Sequence, residues 1–88
     1  MLCELDGALM TTREALHDHL AAQLSLPEWY GRNLDALYDL LAGMNDVTFS
    51  VTHVSFMLDA LGEYAWMMLR TLIDAVSANP TMKITISE

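Results

Sequence analysis

Apolar and polar residues change their spacing along this chain, and each change marks a new element. Met1 to Leu5 is a short apolar-rich run closed by the turn dipeptide Asp6-Gly7, which predicts a first strand. Thr11 with Glu14 three residues on forms a capping box, and Ala15, Leu16, Leu20 and Leu24 then line one stripe, so a helix is expected over residues 12–24. Leu26-Pro27 breaks it, and Pro27-Glu28-Trp29-Tyr30-Gly31 reads as a compact turn. Asn33 is a good cap for a second helix, Leu34 to Ala42, ended by Gly43.

Val47 to Thr52 alternates strictly between apolar and hydroxyl side chains, the period-two pattern of a strand with one face covered. Ser55 is then expected to cap a short helix to about Leu61, with Gly62 as its stop. Glu63 to Ala78 is apolar nearly all round, with Trp66, Met67, Leu69, Leu72, Ile73 and Val76, and is predicted to be the most buried helix. Asn79-Pro80 ends it, and Met82 to Ser87 alternates again as the last strand.

Helix-bearing crossovers between successive strands favour parallel pairing with right-handed connections. The expected fold is a small α/β domain with a three-stranded parallel sheet packed by about four helices. It occupies residues 1–88 as a single unit, with no repeat or linker to divide it.

Composition narrows the function. An apolar share of 53% excludes a disordered acidic tail. Twelve Asp and Glu against four Lys and Arg give a net charge of −8, which repels nucleic-acid phosphates and anionic lipid and favours a cationic partner, although acidity also serves solubility. The single cysteine, Cys3, cannot make an internal disulfide or a zinc site and fits a reducing compartment. The first residues carry acids where a signal peptide needs a basic segment, and the apolar stretch Tyr64 to Val76 is broken by Arg70 and Asp74 and is too short to span a bilayer. A soluble, cytoplasmic protein is expected.

Candidate chemistry gathers on the second helix. Leu34, Leu37, Leu40 and Leu41 fall on one side, whereas Asp35 and Asp39 lie one turn apart on the other, with Tyr38 at the boundary. Asp35 suits the first turn, where the helix dipole favours a negative charge. Asp39 is mid-helix, where Asp is a poor helix former and the like charge at i, i+4 costs a few tenths of a kcal/mol. Ala36 and Ala42 allow close approach, and Tyr38 and Trp29 are residue types common at interface hot spots. Two readings stay open on these residues alone: a binding surface, or a solvated helix face with its aromatics folded back onto the core.

The string Leu24-Ser25-Leu26-Pro27-Glu28-Trp29-Tyr30-Gly31-Arg32-Asn33-Leu34-Asp35-Ala36-Leu37-Tyr38-Asp39-Leu40-Leu41 strongly resembles the signature of barstar-like ribonuclease inhibitors. The rest of the chain agrees in length and element order. The resemblance implies a protein that plugs the active site of a basic ribonuclease and keeps it harmless inside the producing cell. It would place Asp39 in the phosphate-binding pocket and Asp35 beside it on the basic rim. Trp29 would pack on the catalytic histidine and Tyr38 would sit at the helix edge, with Asn33 shaping the loop and Gly31 permitting a backbone conformation that a side chain hinders. Where the best-known inhibitor of that family has a tryptophan this chain has Met44, and where it has a tyrosine this chain has Trp29. Its second acid, on the last long helix, is matched by Asp74 only with a two-residue offset.

Other residues carry weaker signals. His17 and His19 point about 200° apart on a helix, so a shared metal is not expected and both read as surface histidines. No role follows for His53. The seven methionines, Trp66 and Cys3 read first as core filling. An acid/base role for Asp35 and Asp39 would need desolvation that one exposed helix face does not supply. The expectation is therefore a monomeric, non-enzymatic inhibitor without cofactor or metal. Its partner surface would comprise Trp29, Gly31, Asn33, Asp35, Tyr38 and Asp39, with Met44 and Asp74 as further candidates. The alternative is an interaction module of the same fold for a different cationic protein, such as a regulator or toxin.

Overall fold

In a computed structural model, which describes residues 1–88, the three alternating segments lie side by side as one parallel sheet in the order β1 (Leu2–Asp6), β2 (Thr48–Thr52), β3 (Lys83–Ile86). β1 pairs with β2 from Leu2 opposite Thr48 to Asp6 opposite Thr52, and β2 with β3 from Thr48 opposite Lys83 to Val51 opposite Ile86. Alternation then sorts the side chains. Cys3, Leu5, Phe49 and Val51 are fully buried on one face, while Glu4 is exposed and Thr48, Ser50 and Thr52 are half-buried on the other. Parallel sheets are usually covered on both faces. Hydroxyl and charged residues let this one face water on its outer side, so the domain has two layers.

The connections supply the second layer: α1 (Arg13–Leu24) and α2 (Leu34–Ala42) between the first two strands, α3 (Val54–Leu61) and α4 (Glu63–Ala78) between the last two. One core joins them to the sheet. It contains Leu16 and Leu20 of α1, Leu37 and Leu41 of α2, Met57 of α3, and Met68 and Leu72 of α4, all fully buried. Burying a Leu or Met side chain contributes about 1.5–3 kcal/mol, offset by chain entropy, so these residues dominate the stability of a small domain. Cys3 lies in this core, where burial pushes its thiol up to about 12, as suits a small hydrophobe rather than a nucleophile. No helix is long and apolar enough to cross a membrane.

Two caps differ from expectation by one or two residues. Thr12, not Thr11, caps α1: its hydroxyl accepts from the Ala15 amide at 3.0 Å. Ser55 does not cap α3 but lies inside it; His53 takes the cap position in the left-handed region (φ 50°, ψ 42°) without a side-chain cap bond. Its imidazole instead meets the Asp6 carboxylate, Nδ1 to Oδ1 at 2.9 Å. That bond and the Ala8 amide hold the Asp6 carboxyl below its usual range, the amide having the larger effect.

The larger correction concerns α4. Ala65, Met68, Leu69, Leu72 and Ala75 turn inward, but Trp66 is 62% exposed, and Met67 and Ile73 are exposed as well. A helix in the outer layer of a two-layer domain has one side to bury and nothing over its back. The expectation that Trp66 and Met67 fill the core was therefore wrong.

Candidate functional site

The segment between α1 and α2 is held from behind so that its front stays free. α1 ends at Ser25 in the left-handed region, and the Tyr30 amide closes a turn on the Pro27 carbonyl at 2.9 Å. Within this turn adjacent aromatics separate: Tyr30 is 6% exposed, whereas Trp29 is 76% exposed. The reading in which Trp29 folds back onto the core does not hold.

The Tyr30 hydroxyl meets Nδ1 of His17 at 2.7 Å, and Nε2 of His17 meets the Tyr64 hydroxyl of α4 at 2.7 Å. His17, expected at the surface, is 3% exposed. Burial first, then the Arg32 and Arg13 cations, holds its imidazole below the usual histidine range, so it is neutral at pH 7 with one donor and one acceptor. Tyr30 has no other acceptor for its hydroxyl proton, while Tyr64 is half-buried and reaches water. The consistent arrangement has Tyr30 donating to Nδ1 and Nε2–H donating to Tyr64. Burial raises the Tyr30 phenol to about 12, so it keeps that proton.

Arg32 makes a second tie. It sits at φ 55°, a left-handed backbone that costs a non-glycine residue about 1 kcal/mol. Its guanidinium pairs with Asp18 at 2.7 Å and donates to the Glu14 carbonyl at 3.1 Å, both on α1. Arg13 stacks over the Tyr64 ring at 4.0 Å. His19 goes another way and accepts from the Asp6 amide, so the two histidines of α1 share nothing.

Asn33 caps α2 as expected, its Oδ1 accepting from the Ala36 amide at 2.7 Å and its Nδ2 donating to the Gly31 carbonyl at 3.2 Å. At Gly31 space matters rather than φ, because a Cβ would press on side-chain atoms that must give by a few tenths of an ångström. A Cβ there would stand 3.1 Å from the Ala36 Cβ and 3.3 Å from the Asn33 amide nitrogen.

Asp35, Tyr38 and Asp39 all reach solvent from α2. Leu34, Asp35, Tyr38 and Asp39 line a hollow of about 340 Å³ together with Thr71 and Asp74 of α4. The fold thus brings Asp74 to the acid pair. A second hollow of about 430 Å³ lies on the other flank, lined by Trp29, Gly31, Ala36, Asp39 and Leu40. Asp39 lines both and forms the ridge between them. The two ion pairs in the structure use Asp18 and Asp6, so Asp35, Asp39 and Asp74 have no cationic partner within the chain. Met44 does not join them. It is half-buried against the core, and its carbonyl accepts from Asn79 at 2.9 Å.

The sequence reading missed the backing set of His17, Tyr30, Tyr64 and Arg32. One signal was present: His17 shares the i, i+3, i+7 spacing of Leu20 and Leu24 and so belongs to the inward stripe of α1. Tyr64 and Arg32 are brought in by packing alone.

Comparison with known proteins identifies the family. The family model described as Barstar (barnase inhibitor) matches residues 1–86. A Bacillus subtilis (strain 168) protein named "Putative ribonuclease inhibitor YrdF" is 40% identical over 73 residues, covering 81% of this chain and 80% of that protein. With the family match spanning all but the last two residues and the parallel three-stranded fold in place, this chain belongs to the barstar family.

Proposed function

We propose that this protein inhibits a basic, barnase-type ribonuclease by occupying its active site, with the α2 face standing in for RNA phosphates. The observation that carries the reading is the set of three carboxylates, Asp35, Asp39 and Asp74, drawn from two helices to one hollow and left without cations of their own. A surface of this kind suits a cationic phosphate pocket, because the partner supplies the charges the chain withholds. Asp39, on the ridge between two hollows, enters deepest. Asp35 and Asp74 meet the basic rim, Trp29 and Tyr38 supply rigid apolar area beside them, and Asn33 with Gly31 fixes the loop. The net charge of −8 accelerates encounter with a basic enzyme. Family membership and the name of the Bacillus subtilis relative support the ribonuclease as partner. Inhibition requires only occupancy, so the protein needs no catalytic group, metal or cofactor.

The test is RNA cleavage by a purified barnase-type ribonuclease with increasing amounts of this protein or of its Asp39→Ala variant. One-to-one protection that the variant loses supports the reading. Absence of protection at micromolar concentration rejects this nuclease and directs the search to another cationic protein for the same face.

A further inference from the structure

We propose that the outward stripe of α4 is a self-association surface, pairing antiparallel with the same stripe of a second copy of this chain. Glu63, Trp66, Met67, Arg70 and Ile73 are all exposed and line one hollow of about 450 Å³. Glu63, Trp66, Arg70 and Ile73 fall at three-four spacing and so share one side of α4, with Met67 beside them. An isolated exposed apolar residue needs no explanation, but a tryptophan, a methionine and an isoleucine around one depression form a patch of the kind that marks interaction sites.

The charges on the stripe identify the occupant. Neither Glu63 nor Arg70 belongs to either of the ion pairs within the chain. They lie seven residues apart, about 10.5 Å along the helix, and the midpoint between them falls between Trp66 and Met67. A two-fold axis through that midpoint places each Glu63 against the partner copy's Arg70 and each Trp66 against the partner copy's Met67. The stripe is thus complementary to itself in charge, which is what a closed two-fold interface requires. A wholly cationic partner would meet Arg70 as a like charge. Repulsion between two chains of net charge −8 opposes the dimer, but it is largely screened beyond about 8 Å at physiological ionic strength. One helix per copy buries little area, so the dimer is weak and forms only at high protein concentration. The stripe borders the α2 face, because Met67 also lines a hollow with Asn33 and Asp35, but Asp39 lines neither hollow and the proposal does not rest on the inhibitor reading.

Sedimentation equilibrium of the full chain, from about 10 μM to about 1 mM in about 0.2 M salt, tests it. The weight-average mass is expected to rise from one chain towards two. Trp66→Glu, at an exposed position, should stay at one chain while keeping the wild-type circular dichroism. Glu63→Arg should weaken association several-fold, and adding Arg70→Glu should restore it, because the swapped pair is again complementary. A single-chain mass throughout, association unchanged in Trp66→Glu, or no rescue in the double variant would each overturn the proposal. So would loss of RNA protection in Trp66→Glu with a monomeric wild type, which would assign the stripe to the nuclease.

Discussion

Trp29 and Tyr30 are neighbours in sequence but belong to two differently built regions. Trp29 stands in the outward region with Asp35, Tyr38, Asp39 and Asp74, where the side chains reach solvent and the carboxylates lack cations. Tyr30 belongs to the inward region with His17 and Tyr64, where both ring nitrogens of a buried histidine meet hydroxyls at 2.7 Å and no buried polar side-chain atom lacks a partner. The outward groups are hydrated and make no ion pair within the chain, so under the proposed function changing them should alter binding and leave folding alone. The inward groups are satisfied already, so changing them should alter folding first. Separating the two lets a small domain keep a strongly charged face without placing those charges in its core.

The largest expected effect lies outward. Asp39→Ala should weaken ribonuclease binding by about 2–5 kcal/mol, roughly 30-fold or more, a general range for truncated buried charge pairs to which the barstar–barnase pair itself contributes. Urea unfolding of the same variant should stay within about 0.5 kcal/mol of wild type, since the change removes only a like-charge neighbour of Asp35 on a solvated face. A variant that unfolds easily would break the comparison.

Inward, Tyr30→Phe leaves Nδ1 of a buried histidine without a partner and should cost about 1–3 kcal/mol in urea unfolding. Tyr64→Phe sharpens the point. Tyr64 is half-buried, water can replace its hydroxyl, and the loss should be smaller. Equal losses would contradict the assigned direction of the hydrogen bonds. Between the regions stands Asn33, whose removal as Asn33→Ala deletes a cap bond at the exposed end of α2 and should lower stability by about 1 kcal/mol.

The last effect is a slope. Burial and the Arg32 and Arg13 cations depress the His17 pKa, so the unfolded chain accepts a proton below about 6.5 that the folded protein refuses. Stability from this group is complete above that pH and is lost as pH falls towards the folded value. Asp6, whose folded pKa is also lowered, contributes above the ordinary carboxylate range and is lost only on further acidification through its own folded value. Urea midpoints should therefore fall between pH 7.5 and 5.5, and His17→Gln should flatten that fall; an equally steep fall in the variant would remove His17 as its cause.

Local chemistry made the element order, the parallel sheet, the Asn33 cap and the acid pair of α2 legible in the sequence. Alternation and caps are written within a few residues of one another, and helical spacing alone sets Asp35 and Asp39 one turn apart. Where the sequence reading slipped locally, from Thr12 to Thr11, two adjacent hydroxyl residues offered the same cap. Three matters were settled by tertiary structure, although for His17 the place on the inward stripe of α1 was legible in the sequence. Asp74 meets the acid pair because α4 packs beside α2, a relation between residues far apart in the chain. His17 is buried because two tyrosines from other segments satisfy both its nitrogens, and the cost of burying a polar ring depends on such partners. Trp66 is exposed because the domain stops at two layers, and an apolar residue is buried only where another element arrives to cover it.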